Sequence, residues 1–422
     1  MARSTTFTYN VTVSGSVFVI DGNSQQYITL FPGCTYEFNQ DDATNAGHPL
    51  RFSETPDGTH GGGSEYTTGV TTSGTPGSAT AWTKIEVTSD TPVYLYYYCS
   101  VHPGYGGNIN VLTSNINGSR GYILGGATGG SPGPGTSNVE FIIINTLGNA
   151  SDFGDLTTSD HRNGFGGSNS TRSIVAGGVI SPAFTTNINV IEFILNKSTG
   201  SGIDFGDLTT ATRRASGSSN DTRCIFAGGL TPGIVNTIEY VTIAQTGNAT
   251  DFGDLTVATG DMAGGLNSPT RGVFAGGATP TKVNTIQYIT IASTGNATDF
   301  GDLTIVKQFC AGVSSSTRGV VSGGNSSPVT PTNVMDYITI ATTGNATDFG
   351  DMNTIFDDSG IMGVSNSITG IYTGICAPSA GVRSNIMEYI NIATTSNTAD
   401  FGDLTTATNF GAGTSDGHGG LS

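Results

Sequence analysis

The chain has 422 residues, of which 63 are Gly and only 11% are charged, and its formal net charge is −17 at pH 7. This length allows two or three domains. Because affinity for nucleic acid comes mostly from Lys and Arg, which number 15 here, the composition excludes a nucleic-acid partner. We expect no membrane insertion, since no apolar run of about 18 residues exists, and no secretory signal follows Met1.

Residues 5–113 are predicted to form a small β-sandwich. Branched and aromatic residues alternate with polar ones at Phe7, Tyr9, Val11 and Val13, which is the period of a strand with one buried face. Strand-like runs follow at 35–38, 83–87 and 93–98. No repeat joins these runs, so they indicate a separate, non-repeating β domain.

Two segments of this domain contain residues that bind metals in other proteins. The first is Asn-Ala-Gly-His48-Pro, and the second is Tyr-Tyr-Cys99-Ser-Val-His102-Pro-Gly-Tyr105. The pair resembles the cupredoxin fold, in which an early His and a late Cys-x-x-His loop bind copper. The resemblance implies that His48, Cys99 and His102 are equatorial ligands, and soft donors of this kind also suit zinc.

The same loop departs from the cupredoxin pattern at its end. Tyr105 stands where the short-loop members have Met, so the resemblance implies that the weak axial ligand is absent. The alternative is that the loop is only a packed corner, with Cys99 buried and no metal bound. His60 lies in a glycine-rich loop, and we expect it to be solvated and not a ligand. Residues 114–119 are polar and unpatterned, as in a linker.

The rest of the chain, residues 120–422, is built from repeats. The phrase Asp-Phe-Gly-Asp recurs at intervals of 47 to 52 residues, starting at Asp152, Asp204, Asp251, Asp299, Asp348 and Asp400. Each block also carries a paired glycine, or Gly374-Ile375 in the sixth, and an alternating strand such as 284–292. The unit resembles the kelch repeat, with Phe in place of the late Trp. It predicts an all-β, six-bladed, kelch-like β-propeller.

The two ends of the repeat region complement each other. Residues 120–126 have no preceding partner strand, whereas the segment after Leu404 matches the strand that is missing. We therefore predict that one blade is assembled from both ends, which closes the ring and removes exposed sheet edges.

The repeats also carry charged residues at matching positions. Five blocks begin their second strand with an Arg, at positions 120, 172, 223, 271 and 318. We expect these to pair with the repeat carboxylates, and the alternative is an anion-binding rim. Calcium binding by the repeat Asp residues is a weaker alternative. His161 and His418 are isolated in the sequence, and no block has a catalytic triad or a glycosidase pair, so we predict no enzyme activity.

Longer phrases resemble one group of proteins over nearly the whole chain. These are Tyr-Tyr-Tyr-Cys-Ser-Val-His at 96–102 and Tyr-Ile-Thr-Ile-Ala with Thr-Gly-Asn-Ala-Thr-Asp-Phe-Gly-Asp in the blades. They resemble virion proteins of tailed phages that infect marine cyanobacteria. The resemblance implies a non-enzymatic capsid-decoration, tail or fibre component, assembled in the host cytoplasm in multiple copies. Its partners would be other virion proteins and a host-surface glycan or receptor. The rival is a copper protein for electron transfer or metal capture, with the propeller as a docking module.

Overall fold

In the computed structural model the chain is all-β and divides into two compact units, Met1–Ile116 and Asn117–Ser422. The structure describes residues 5–25, 28–30, 34–88, 91–92, 94–111, 120–129, 133–180, 186–196, 200–326, 330–354, 360–374 and 383–421. The predicted linker 114–119 lies outside these residues. Within them, no helix has the length and apolar character needed to cross a membrane.

The first unit contains two sheets. The six-stranded sheet has the order β3-β2-β1-β5-β9-β8 and the five-stranded sheet the order β4-β11-β10-β6-β7. The strands are β1 Thr5–Ser14, β2 Val17–Ile20, β3 Asn23–Ser24, β4 Ile28–Leu30, β5 Cys34–Asn39, β6 Leu50–Ser53, β7 Glu65–Tyr66, β8 Val70–Ser73, β9 Trp82–Glu86, β10 Tyr94–Cys99 and β11 Gly107–Val111. A short 3-10 helix, Ala43–Asn45, precedes β6.

Both sheets of the first unit bury side chains in one core. Phe18 and Phe38 come from the larger sheet, and Phe52 and Tyr97 come from the smaller one, and none of the four is measurably exposed. The rings of Phe38 and Phe52 meet edge to face, with centroids 5.3 Å apart. This contact fixes the spacing of the two sheets at the level of β6, the strand that follows His48.

The second unit contains six four-stranded antiparallel sheets. Their strands, in chain order, are β12 Arg120–Ala127, β13 Gly135–Ile143 and β14 Ser151–Asp155; β15 Phe165–Ser168, β16 Arg172–Ala176, β17 Val190–Leu195 and β18 Ile203–Asp207; β19 Ser216–Ser219, β20 Arg223–Ala227, β21 Thr237–Thr242 and β22 Thr250–Asp254; β23 Ala263–Asn267, β24 Arg271–Ala275, β25 Thr285–Thr290 and β26 Thr298–Asp302. They continue with β27 Ala311–Ser314, β28 Arg318–Ser322, β29 Asn325–Ser326, β30 Thr330–Pro331, β31 Val334–Thr339 and β32 Thr347–Asp351; β33 Met362–Ser365, β34 Thr369–Thr373, β35 Ile386–Asn391 and β36 Ala399–Asp403; and β37 Ala412–Ser415. β29 and β30 form a separate two-stranded ladder beside the fifth sheet.

The last strand completes the first sheet. β37 pairs antiparallel with β12, with Tyr122 opposite Thr414, so residues 412–415 fill the strand position that the sequence left open. We call β37, β15, β19, β23, β27 and β33 the first strands of the six sheets. Each first strand contacts the next one, and β37 contacts both β33 and β15. The series of contacts therefore returns to its starting point.

Glycine allows the first strands to approach one another closely. The second residue of every first strand is Gly, at positions 166, 217, 264, 312, 363 and 413. A Cβ on Gly217 would lie 1.8 Å from the carbonyl oxygen of Gly166, and one on Gly312 would lie 2.1 Å from that of Gly264. Since real atoms do not approach so closely, any side chain here would force the sheets apart.

Arginines join each sheet to its neighbour through main-chain carbonyls. Arg223 donates to the carbonyl oxygen of Ile291 at 2.7 Å, and its guanidinium lies 4.6 Å from the ring centre of Tyr240 in its own sheet. Arg120, Arg172, Arg271 and Arg318 make the equivalent contacts. Among the described residues none of the five forms an ion pair. The predicted pairing with repeat carboxylates is therefore wrong, because the main chain of the next sheet occupies these groups.

A buried acidic or amide side chain makes a second link between sheets. Glu140, on the third strand of its sheet, accepts hydrogen bonds from the backbone N–H groups of Thr405 and Thr406 in the sheet before it. Glu239 has the same place in the third sheet, but its Oε1 atom has no hydrogen-bond partner. Burial raises the pKa of Glu239 to about 7. The equivalent residue of the next sheet is Gln287.

We predict that Gly217→Ala destabilises the second unit by about 3 kcal/mol, because the added methyl collides with backbone atoms of the neighbouring first strand. The measurement is urea unfolding, read as the free energy of unfolding. Gly233→Ala is the matched control, since nothing lies within 4 Å of a Cβ there. Equal stability of the two variants would contradict the close approach of the first strands.

We predict that Glu239→Gln increases stability at pH 8 by about 2 kcal/mol and has little effect at pH 4. The folded-state pKa of about 7 lies above the ordinary value of 4.5. The folded protein therefore holds the proton more tightly, and its stability falls as the pH rises through this window. Thermal unfolding between pH 4 and pH 8 measures the effect. The exposed carboxylate variant Asp299→Asn serves as the control and should not reproduce it.

Candidate metal centre

Strand pairing brings the two predicted metal-binding segments together. Cys99 is the last residue of β10 and lies opposite Leu50, the first residue of β6. His48 is two residues before Leu50, and the Ser100 N–H donates to the Pro49 carbonyl at 3.0 Å. The antiparallel register therefore places the His48 and Cys99 side chains at the same end of the smaller sheet.

The three predicted ligands converge. The Cys99 Sγ atom lies 3.8 Å from Nδ1 of His48 and 3.8 Å from Nδ1 of His102. All three donor atoms lie within 4.8 Å of one another. Metal–sulfur and metal–nitrogen bonds of about 2.3 and 2.0 Å would span a 3.8 Å separation at an angle of about 120°. The residues therefore fit a soft metal with trigonal ligation.

The neighbouring residues hold the three ligand side chains in position and shield them in part from water. Cys99 is fully buried, whereas His48 and His102 are half-buried. The Gln40 side chain donates to the His48 carbonyl at 2.9 Å and accepts the Leu50 N–H at 3.1 Å. This two-point contact fixes the backbone on both sides of Pro49. The role of Gln40 was not predicted from the sequence. No feature of the residues around position 40 indicates that its side-chain amide bonds to the His48 segment.

Tyr105 packs flat against a ligand. Its ring lies 4.6 Å from that of His48 with an angle of 19° between the planes, and 5.5 Å from the ring of His102. The Phe18 N–H donates to the Tyr105 carbonyl at 2.9 Å, and the Phe18 ring meets Tyr105 edge on. The sequence placed Tyr105 at the axial position of the cupredoxin loop. In the structure its ring covers the imidazole face, which limits access of water to His48.

The electrostatics of the site favour neutral imidazole. Burial, and then the proximity of His102, lower the pKa of His48. A neutral imidazole offers a free lone pair, which is the form that binds metals. The site can therefore supply two imidazole nitrogens and one thiol sulfur without first removing a proton from His48 at neutral pH.

The remaining histidines lie elsewhere. His60 is exposed, as predicted, and its Nε2 atom donates to the Cys99 carbonyl at 3.1 Å without entering the donor group. His161 and His418 are buried in the second unit, where they bond to the carbonyls of Gly177 and Ser168. Across the described residues, His48, Cys99 and His102 form the one group of three His, Cys or acidic side chains with convergent donors.

Comparison with protein families and with curated proteins gave no match. No protein-family model matches the sequence, and no curated protein matches it. The assignment of a function therefore depends on the residues and geometry of the chain itself.

We predict that the protein binds one Cu(II) ion per chain and then shows a strong visible absorption from thiolate-to-copper charge transfer. Cys99→Ser should abolish the absorption, because serine removes the sulfur donor. His60→Gln is the matched control and should retain it, since the His60 side chain bonds to the Cys99 carbonyl and supplies no atom to the donor group. A colourless protein with no bound copper, under conditions where circular dichroism shows it folded, would contradict the metal site.

Proposed function

We propose that the chain is a non-enzymatic structural protein of a virion. In this proposal residues 120–422 form a six-bladed, kelch-like β-propeller that serves assembly contacts or host-surface attachment. Residues 5–113 form a cupredoxin-like domain. The observation that carries the proposal is the closed series of contacts among the six first strands, with β12 and β37 in one sheet. Because the series of contacts closes, no first strand has a side that lacks a neighbouring first strand.

The links between successive sheets support the propeller. The Gly247 N–H donates to the Phe205 carbonyl of the preceding sheet at 2.8 Å, and the Asp207 N–H donates to Asn248 Oδ1 at 3.1 Å. Within one sheet, the late aromatic Phe252 is buried and meets Tyr240 edge to face at 5.7 Å. These contacts recur from sheet to sheet, which is the arrangement expected of blades packed side by side.

The use of polar groups supports a scaffold or binding role. Two buried groups of the kind that catalyse reactions bond to the main chain in the described part of the second unit. Glu140 bonds to two backbone N–H groups, and His161 bonds to the Gly177 carbonyl. Burial lowers the pKa of His161 and keeps it neutral at pH 7. These contacts stabilise the sheets. Side chains used in this way suit a binding protein better than an enzyme.

The virion assignment is supported by the phrase resemblance together with this architecture. We predict that the chain is present in purified particles in multiple copies. We further propose that the first unit is the anchor, so deleting residues 120–422 should leave it attached to the particle. Quantitative mass spectrometry and electron microscopy of particles provide the measurement. A truncated chain that is missing from particles would reassign the anchor, and a full-length chain that is missing would overturn the virion role.

A second candidate function is electron transfer or metal capture at His48, Cys99 and His102. The convergence of their donor atoms within 4.8 Å is the observation that favours it. Bound copper would supply a one-electron couple. The chain's own residues would hold the metal, with Gln40 fixing the His48 segment and Tyr105 covering the imidazole. Under the structural role alone, Cys99→Ser particles should infect normally, whereas a metal-dependent role predicts a defect.

A further inference from the structure

A cavity lies where the first strands begin. Five of the six sheets place a residue with left-handed backbone two positions before the start of their first strand. These are Asn163, Arg214, Asp261, Phe309 and Phe410, with φ between 55° and 59°. Non-glycine residues seldom adopt this conformation. All five line one cavity that has about 430 Å³ of unfilled space, including open solvent at its mouth.

Backbone hydrogen bonds tie these residues to one another. The N–H of Asn163 donates to the Phe410 carbonyl at 2.7 Å, and the N–H of Arg214 donates to the Asn163 carbonyl at 3.1 Å. The same bond runs from Asp261 to Arg214 and from Phe309 to Asp261. Because these main-chain groups bond to each other, the recognition chemistry of the cavity comes mainly from the side chains.

Two polar side chains of the cavity lack hydrogen-bond partners. Asn163 is 8% exposed, and its Oδ1 atom has no partner. Arg214 Nη1 lies 3.7 Å from Asp261 Oδ2, which is longer than a hydrogen bond, and Arg214 Nε is buried without a partner. The large majority of buried side-chain polar atoms in proteins have a hydrogen-bond partner. A small polar ligand would supply partners for both side chains.

Aromatic rings flank the Arg214 guanidinium. Its centre lies 5.1 Å from the ring centre of Phe309 and 5.9 Å from that of Phe410, and the two rings meet edge to face. Each of these residues comes from a different sheet, so the cluster exists only in the assembled unit. A guanidinium beside flat apolar rings can bind a ligand that has both a charged group and an apolar face.

Positive charge is concentrated near this cavity in a protein that is otherwise acidic. Arg162 lies 5.4 Å from the ring centre of Phe410. Burial, and then the neighbouring Arg383 and Arg214, lower the pKa of Arg162, and burial and Arg214 lower that of Arg213. Four arginines thus influence one another here, whereas the whole chain has 15 basic residues and a net charge of −17. The local potential therefore favours an anion.

We propose that this cavity binds an acidic saccharide. Arg214 would bind the carboxylate, Phe309 and Phe410 would pack against the apolar face of the sugar ring, and Asn163 would bond to a hydroxyl group. Asp261 lies beside Arg214 and disfavours a dianion such as phosphate, while it can accept a bond from a second hydroxyl. The proposal deepens the attachment role given above and depends on it for its biological meaning.

The test is calorimetric titration of the full-length protein with trigalacturonate and with the neutral trisaccharide galactotriose. We expect trigalacturonate to bind at least about tenfold more tightly, and its affinity to fall as salt is raised, because the charge–charge contribution is screened. Arg214→Gln should weaken trigalacturonate binding by about tenfold or more. Arg51→Gln, which changes a partly exposed ion pair in the first unit, is the charge-matched control and should bind as the parent protein does.

A second variant keeps the test decisive if Arg214→Gln does not fold. Asn163→Asp changes one atom and suits the left-handed backbone, since Asp tolerates this conformation as Asn does. The new carboxylate should repel the ligand carboxylate and weaken trigalacturonate binding by about tenfold. Equal affinity for the acidic and neutral sugars, no binding of either by folded parent protein, or unchanged binding by folded variants would overturn the proposal.

The saccharide proposal and the virion proposal can fail independently of each other. A chain that is present in particles but does not bind trigalacturonate would overturn the saccharide site alone. A chain that binds trigalacturonate through Arg214 but is missing from particles would overturn the attachment role and leave the binding site standing.

Discussion

The second unit depends on the close approach of its six first strands. With Gly at the second position of each strand, the backbone of one sheet lies against the backbone of the next, and a Cβ on Gly217 would lie 1.8 Å from the Gly166 carbonyl oxygen. A wider spacing would separate the Arg223 guanidinium from the Ile291 carbonyl and the Glu140 carboxylate from Thr405. The glycines thus set the geometry in which all other links between sheets form.

The links between sheets are more often hydrogen bonds to the main chain than ion pairs. An arginine that donates to a carbonyl, and a carboxylate that accepts from N–H groups, satisfy backbone atoms that would otherwise be left unbonded between sheets. The contact does not require a charged partner in the next repeat. The third strands carry Glu239, Gln287 and Asp336 at one position, and Asp336 adds a buried ion pair with Lys307 at 2.9 Å. Such variation is useful in a chain whose repeats have diverged.

The sequence predicted features that depend on local spacing, and it missed features that depend on distance across sheets. The recurring phrase predicted the sheets, and the Cys-x-x-His spacing predicted that His48, Cys99 and His102 would meet, because strand pairing aligns them. The expected ion pairs of the arginines were wrong, because residue type does not reveal which acceptor lies within reach. The cavity beside Arg214 was not predicted, since its residues are 47 to 247 positions apart in sequence and differ in type from one repeat to the next.

The pairing of Tyr122 with Thr414 also constrains the order of folding. These residues are 292 positions apart (414 − 122), so their pairing in an unfolded chain carries a loop-closure entropy cost that folding of the five intervening sheets reduces. Until they pair, β12 has an unpaired edge that could join a strand of another copy. Slow closure would make the nascent chain prone to exchange strands between molecules, and rapid folding of the intervening sheets is the protection against it.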